Sequence, residues 1–383
     1  MEKQSDTSLF TVLSHERRGL REEVICYRCG SQAEKATAYR CSLCGGPLIV
    51  SYDTYFDVSK IRWSLHSMWR YINFLPPSLS KPVSLGEGLT PITKIYDRQI
   101  YVKHEYMNPT GSFKDRGSST LISRLRGLVG GVVCDSSGNA GASIAAYSAY
   151  AGLGCVIYST SSGARNKMAQ IAAYGSSLKI VEGGREQAMS EAVQASDGMG
   201  YHYAGHAWSP YFIEGVRTIA YEIGEQFSWS LPDRIYIPTS AGTLLLGIIL
   251  GLKTLRSSGL LDKFPEIIAV QPKAISPLYN RYKNVGETSY TASIADALSH
   301  TNPPRLEQMV RELKIVGGDV VVVSDEEIRR AQRELAFSGI YVEPSAAVGY
   351  AAIRRELDEI IASDVRVLTL ATGTGLKTAD KTE

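Results

Sequence analysis

The chain has 383 residues, with 41 lysines and arginines against 39 acidic residues, and this length predicts about two domains. The net charge of +2 argues against a protein whose partners are nucleic acids or anionic membranes. A hydrophobic content of 44% with 21% charged residues excludes an intrinsically disordered protein. Because no apolar run reaches the ~18 residues of a membrane helix and the first residues lack the apolar core of a signal peptide, we expect a cytoplasmic protein.

Four of the six cysteines form two Cys-x-x-Cys pairs with eleven residues between them: Cys26, Cys29, Cys41 and Cys44. Two such pairs can supply four thiolates to one tetrahedral zinc ion, and four thiolates leave no open position for catalysis. Gly30, Gly45 and Gly46 follow the pairs, where tight turns often need a positive φ. We predict a structural zinc ribbon over 22–52, with chance spacing or a site that has lost its metal as alternatives. Disulfides are less favoured because nothing indicates secretion.

Beyond the ribbon, one helix and then a long alternation of strands and helices are predicted. The stretch 59–77, with Trp63, Trp69 and Phe74, is predicted to be a helix that ends before two prolines. From about residue 85, strands are predicted at 100–105, 131–134, 155–158, 178–181, 234–237, 267–271, 320–323 and 366–370. Helices are predicted at 113–126, 140–150, 164–174, 185–196, 215–226, 244–255, 325–337 and 346–356.

This alternation predicts an α/β fold with a mostly parallel sheet covered by helices on both faces. Cys134 and Cys155 lie in apolar runs of predicted strands, so they are expected to be buried rather than reactive. The turns that follow such strands are the usual ligand-binding positions of open α/β sheets. Four glycine- and hydroxyl-rich turns are therefore candidates for one site: NPTGSFKDRG (108–117), DSSGNAGAS (135–143), PTSAGT (238–243) and ATGTGLK (371–377).

Lys114 lies in the first turn of the helix that follows the first of these loops, with Ser112 expected to cap that helix. A lysine is unfavourable at a helix N-terminus, which attracts anions. It is therefore either a solvated surface residue or an amine whose pKa is lowered beside an anionic ligand. The second turn, with Asn139, suits a carboxylate, and the third suits a phosphate. Neither a Walker A loop nor a GxGxxG fingerprint is present in them.

Taken together, NPTGSFKDRG, SSGNAGAS, GEGLTP, YVEPSAA and TGTGLK resemble the motifs of threonine synthase and its relatives, which are fold-type II pyridoxal-phosphate (PLP) enzymes. These motifs are spaced over 86–377, about three quarters of the chain, and an N-terminal zinc ribbon occurs in some members of the group. The resemblance implies a tryptophan synthase β-like fold, with two three-layer α/β/α domains and PLP between them. We place the large domain at 53–125 and 220–383, the small domain at 126–219, and the ribbon in a segment at 1–52.

The resemblance also implies roles for individual residues. Lys114 would form a Schiff base with PLP and then act as general base and acid. The further cofactor-binding residues would be Asn139 at the 3′-oxygen, Thr372 at the pyridine nitrogen, and Ser240, Ala241, Gly242 and Thr243 around the phosphate. The substrate carboxylate would be held by Ser137, Gly138, Asn139 and Ala140. These roles agree with the properties of each turn.

Three positions depart from the threonine synthase pattern. Where NPxRxEG is expected, residues 209–215 read SPYFIEG, so Phe212 replaces the arginine that helps to bind the substrate's phosphate. A phenyl ring cannot supply paired N–H donors to a phosphate. Ala207 replaces an upstream hydroxyl, and Thr374 replaces a histidine. Four residues are candidates for the missing cation: Arg165, Lys167, His206 and Arg217.

These departures leave more than one hypothesis for the function. The first is conversion of O-phosphohomoserine and water to threonine and phosphate. The second is another PLP reaction, either β-replacement of the cysteate synthase type on phosphoserine or a serine/threonine ammonia-lyase. The third, a non-enzymatic protein with a nucleic-acid-binding or partner-binding ribbon, is disfavoured by the neutral charge and the presence of Lys114. We expect a small amino-acid substrate, no nucleic-acid or membrane partner and, by family analogy, a homodimer.

Overall fold

The computed structural model describes residues 21–95, 99–161, 164–286 and 289–378. Its strands are β1 (Glu22–Cys26), β2 (Leu48–Tyr52), β3 (Ile92–Lys94), β4 (Ile100–Lys103), β5 (Gly131–Cys134), β6 (Gly154–Thr160), β7 (Ser177–Val181), β8 (His202–Tyr203), β9 (Arg234–Pro238), β10 (Glu266–Pro272), β11 (Asp319–Val323) and β12 (Val367–Leu370). They form three sheets within the described residues, and these sheets define the parts of the molecule.

The two larger sheets are mostly parallel, as predicted. β1 and β2 pair antiparallel in the N-terminal ribbon. Six strands in the order β11-β10-β9-β12-β4-β3 form the largest sheet, in which only the edge pair β3–β4 is antiparallel. Four parallel strands in the order β7-β6-β5-β8 form the other. The carboxyl ends of parallel strands share one edge of a sheet, so the loops that follow them can converge.

The α-helices are α1 (Lys114–Leu125), α2 (Asn139–Ala151), α3 (Arg165–Ala173), α4 (Arg185–Met199), α5 (Pro210–Gln226), α6 (Thr243–Ser257), α7 (Pro277–Lys283), α8 (Leu306–Val316), α9 (Asp325–Phe337), α10 (Pro344–Arg355) and α11 (Leu357–Ser363). Most predicted helices are present with ends shifted by at most three residues. The exception is α5, which begins five residues early, at Pro210 in its first turn. No helix of the described residues is long and apolar enough to cross a bilayer.

The helix predicted at 59–77 is wrong. The chain forms three short 3₁₀ helices there instead, Val58–Lys60, Met68–Phe74 and Pro77–Leu79. The backbone N–H of Arg62 donates to the carbonyl of Arg70 at 2.9 Å, which a continuous helix cannot do because its N–H groups donate backwards along the chain. Sequence patterning also missed β3, β8, α7, α8 and α11, and only α8 among them is long enough to show a clear period.

Two glycines bring α1 and α5 close together and so fix the position of Lys114. A Cβ atom on Gly117 would lie 2.3 Å from the ring of Phe212, and one on Gly215 would lie 2.0 Å from the carbonyl oxygen of Arg116. Any larger residue at either position would push the helices apart. Since Lys114 is the first residue of α1, this close packing determines where its amine lies.

The proposed domain division remains a prediction. The strands within 126–219 are β5 to β8, and all of them lie in the four-stranded sheet. The proposed boundary at 219/220, however, falls inside the continuous helix α5. The first 20 residues of the segment 1–52 lie outside the described residues.

Candidate active site and metal centre

Two adjoining cavities lie where the loops after β5, β9 and β12 meet. The smaller, of about 40 Å³, is lined by all seven residues predicted to bind the cofactor: Lys114, Asn139, Ser240, Ala241, Gly242, Thr243 and Thr372. The larger, of about 350 Å³, is lined by all four residues predicted to bind the substrate: Ser137, Gly138, Asn139 and Ala140. Lys114 and Asn139 line both cavities, so the structure brings the predicted residues into one continuous site.

The amine of Lys114 lies near two aromatic rings and has a lowered pKa. Its Nζ lies 4.6 Å from the ring centroid of Phe113 and 5.7 Å from that of Phe212. Burial, reinforced by the positive charge of Arg185, lowers the pKa of Lys114 to about 7. A pKa near neutrality leaves a substantial fraction of the amine unprotonated, which is the nucleophilic form.

Ser112 does not cap α1, contrary to prediction. Phe113 occupies the N-cap position and makes no side-chain hydrogen bond to the helix. Ser112 instead pairs with Gly373 in an isolated β-bridge, one residue before the N-cap position. Its buried hydroxyl has no hydrogen-bond partner among the described residues.

The turn between β9 and α6 has the form of an anion cradle. Gly242 has φ +93°, and a Cβ there would lie 2.5 Å from the sulfur of Met309, so only glycine fits. The turn leads directly into the N-terminus of α6 at Thr243. The first N–H groups of a helix have no intrahelical acceptor and bind phosphate well.

Asn139 belongs to a buried polar network that sequence reasoning did not predict. Its Nδ2 donates to Glu343 Oε1 at 2.7 Å, and its Oδ1 accepts from Lys377 Nζ at 3.0 Å. Lys167 Nζ lies 3.1 Å from the other oxygen of Glu343. One hydrogen of the Asn139 amide remains for a ligand, while the network fixes the orientation of the side chain. Glu343 lies in the motif YVEPSAA and Lys377 in the motif TGTGLK, but the sequence does not indicate that these two residues contact Asn139.

The three departures from the family pattern have different structural settings. Phe212 is fully buried against Gly117 and lines neither cavity. Thr374 precedes the 3₁₀ helix Gly375–Lys377, and its side chain accepts from the backbone N–H of Leu376. Ala207 is buried, and its carbonyl accepts from Arg305 Nε at 2.7 Å. The position of the expected phosphate-binding arginine is therefore occupied by hydrophobic core.

The candidate replacement cations divide into two groups. Lys167 and His206 line the larger cavity. Arg217 instead pairs with Glu214 at 3.1 Å, and Arg165 is exposed at the start of α3. Arg185, which the sequence did not single out, also lines the cavity. The sequence could have indicated Arg185 as a candidate, because Gly183-Gly184-Arg185 is another glycine-rich turn between a strand and a helix.

The four ribbon cysteines form a cluster that fits a tetrahedral metal. Their four sulfur atoms all lie within 4.8 Å of one another. The Cys26–Cys44 and Cys29–Cys41 sulfur distances are 3.4 and 3.7 Å, near the roughly 3.8 Å expected around one zinc ion. Cys134 is buried in β5, as predicted, and Cys155 lies partly buried in β6.

Glycines shape the ribbon in two different ways. Gly30 and Gly45 have φ values of +74° and +67°, as predicted for tight turns. Gly46 has no positive φ, so that part of the prediction is wrong. A Cβ at Gly46 would instead lie 3.2 Å from the sulfur atoms of Cys26 and Cys44, so glycine leaves room for the cluster.

The chain is similar to known proteins over most of its length. The profile of the family described as pyridoxal-phosphate dependent enzyme matches residues 83–373. The chain is 34% identical over 378 residues to a threonine synthase of Methanocaldococcus jannaschii, covering 93% of both chains. It is 32% identical to a threonine synthase of Methanosarcina acetivorans, covering 92% of this chain and 91% of the relative.

Solved structures show the same fold. A maize serine racemase superposes with a TM-score of 0.66 at 24% identity, covering 75% of this chain and 88% of its own. A threonine deaminase of Solanum lycopersicum superposes with a TM-score of 0.67 at 19% identity, covering 88% and 96%. The chain belongs to the pyridoxal-phosphate-dependent enzymes of fold type II. Within them it is a threonine synthase-like enzyme, and the predicted family, fold and pyridoxal phosphate cofactor are confirmed.

Proposed function

We propose that this enzyme converts O-phosphohomoserine and water to threonine and phosphate. The observation that carries the proposal is the 34% identity to a threonine synthase over 93% of both chains. The cleft supports it, because it combines a lysine of lowered pKa with anion-binding turns on two sides.

The residues of the cleft suit the steps of such a reaction. Pyridoxal phosphate, when bound, supplies an electron sink that stabilises negative charge at substrate carbons. Lys114 would hold the cofactor and then carry protons to and from the substrate. The turn 240–243 would bind the cofactor phosphate, with Thr372 at the ring nitrogen and Asn139 at the ring oxygen. The amides and hydroxyls of 137–140 would orient the substrate by its carboxylate.

A phosphate-release assay with O-phosphohomoserine tests this function. The purified, PLP-loaded enzyme should form threonine and phosphate in equal amounts. No phosphate release under conditions in which PLP is bound would reject the proposal.

A second candidate function follows from Phe212, which supplies no cation to the substrate pocket. A β-replacement on phosphoserine, or ammonia release from serine or threonine, uses the same cofactor and lysine. Phosphoserine with sulfite or sulfide, and serine or threonine alone, should give no product if the first proposal is right. Product from one of these substrates would favour the second candidate.

We also propose that the cysteine cluster holds one structural zinc ion. Metal analysis of the purified protein should give about one zinc per chain, and Cys41→Ser should lower this value sharply. Cys155→Ser is the matched control, because this cysteine lies in β6, outside the cluster. Equal zinc content in the two variants would contradict the assignment. A homodimer and a cytoplasmic location also remain proposals, and light scattering tests the first.

A further inference from the structure

Arg185 brings to the larger cavity a positive charge that lacks an acidic partner. It is the first residue of α4 and lies on the cavity wall. Its Nε is buried, and the guanidinium makes neither an ion pair nor a hydrogen bond with any described residue. A buried donor without an acceptor is unfavourable, and an anion bound at this position would accept from it.

Two histidines that line the same cavity also lack hydrogen-bond partners for their rings among the described residues. His206 is only 6% exposed, and its ring nitrogens make no hydrogen bond with the part of the chain that the structure describes. The ring of His300 lies 6.1 Å away, centroid to centroid, and its buried Nε2 also lacks a partner there. Burial, together with the nearby charges of Lys114 and Arg185, holds the pKa of both rings well below the usual value. Each neutral ring has one N–H to donate.

The carboxylates that line this cavity are engaged elsewhere. Asp296 pairs with Lys167 at 3.3 Å, and Lys167 also contacts Glu343. Asp135 accepts a hydrogen bond from the phenol of Tyr203. Neither of these carboxylates pairs with Arg185, so its guanidinium is available to an anionic ligand.

We propose that Arg185, His206 and His300 form the subsite that binds the phosphate group of the substrate. This inference rests on the proposed function and names the residues that act in place of the arginine missing at Phe212. The guanidinium offers paired N–H donors to phosphate oxygens, and the two imidazoles add neutral donors. The carboxylate-binding turn 137–140 lines the same cavity, so a substrate with an anion at each end would be held at both.

The test compares two arginines that each begin a helix. In PLP-loaded protein, Arg185→Gln should raise the KM for O-phosphohomoserine and weaken the binding of inorganic phosphate by about ten- to a hundredfold. Arg185→Lys should recover part of the loss, because it keeps the charge without the planar fork. Arg165→Gln is the matched control, since Arg165 begins α3 but is exposed outside the cavity. It should leave both quantities unchanged.

Phosphate binding is measured by calorimetry and needs no turnover, so it separates the two proposals. If the wild type binds phosphate through Arg185 but releases none from O-phosphohomoserine, the reaction is wrong and the subsite stands. If Arg185→Gln binds phosphate as tightly as the wild type and its KM is unchanged, the subsite is wrong. Loss of phosphate binding in Arg165→Gln to the same degree would also overturn it.

Discussion

The protein has two groups of buried charged side chains, and they differ in whether each cation has an acidic partner. In the first, Arg116 contacts Glu105 at 2.7 Å and Glu222 at 2.9 Å, and Lys103 contacts Glu222 at 2.7 Å. All four side chains are inaccessible to solvent, and the two cations balance the two carboxylates. This pairing lowers the pKa of Glu222 to about 2 despite its burial.

The second group consists of two cations of the cleft, Lys114 and Arg185, which have no acidic partner among the described residues. Lys114 lies only two residues before Arg116 on α1, yet it makes no ion pair with a described residue, and its pKa is lowered rather than raised. Arg185 is equally unpaired within the described chain. On the proposed function, the difference teaches that the paired charges stabilise the fold, whereas Lys114 and Arg185 bind ligands.

The largest effect is expected at Lys114. Lys114→Ala should lower turnover by about 10⁴-fold or more, because the amine that holds the cofactor and moves protons is lost. The visible absorbance of the covalently held cofactor should disappear while the circular dichroism spectrum is unchanged. Lys283→Ala, at an exposed position on α7, is the control. Retained activity in the Lys114 variant would overturn the whole site.

A substitution in the paired group should lower the stability of the protein. Arg116→Met should lower the free energy of unfolding by about 3–5 kcal/mol, because two buried carboxylates lose their main cation. Urea unfolding at equilibrium measures this. The control, Arg330→Met, removes an exposed pair with Glu326 and should cost less than about 0.5 kcal/mol. Similar losses in both variants would remove the distinction between buried and exposed pairs.

Asp115 lies between Lys114 and Arg116 in the sequence. Its buried carboxyl predicts that the stability of the protein depends on pH. Its buried carboxyl accepts from Thr110 and Ser143, and burial raises its pKa to about 6. Because the folded pKa lies above the unfolded value, its contribution to stability is full below about pH 4 and is lost as the pH rises through 6.

Between pH 4 and pH 7, the wild type should therefore lose about 2–3 kcal/mol of unfolding free energy relative to Asp115→Asn. Unfolding curves at a series of pH values measure the difference. A difference that stays constant over this range would mean that Asp115 is ionised throughout.

The smallest effect on stability is expected at Arg185. Without an added anion, Arg185→Gln should lower the free energy of unfolding by less than about 0.5 kcal/mol, since no folded partner is lost. Thermal unfolding of Arg185→Gln and Arg116→Met side by side sharpens the comparison. A loss of several kcal/mol at Arg185 would show that it supports the fold.

Much of the fold was predictable because its signals are local. Strand and helix periods fixed most elements from residue 100 onward, and the spacing of Cys26, Cys29, Cys41 and Cys44 predicted the cluster. The helix predicted at 59–77 failed because burial of Trp69, which donates to Glu87 and Ser119, determines the backbone there. Local propensity is weak against such tertiary contacts.

The sequence by itself determined the cofactor family and the four turns that meet at the cleft, because each is encoded in a short run of residues. Only the tertiary structure decided which cations face the cavity. Arg217 pairs with Glu214, whereas Arg185 lines the cleft and makes no ion pair with a described residue. Asn139 and Glu343 meet across 204 residues of chain. The partner of a buried charge is chosen by packing between distant segments, so sequence spacing cannot supply it.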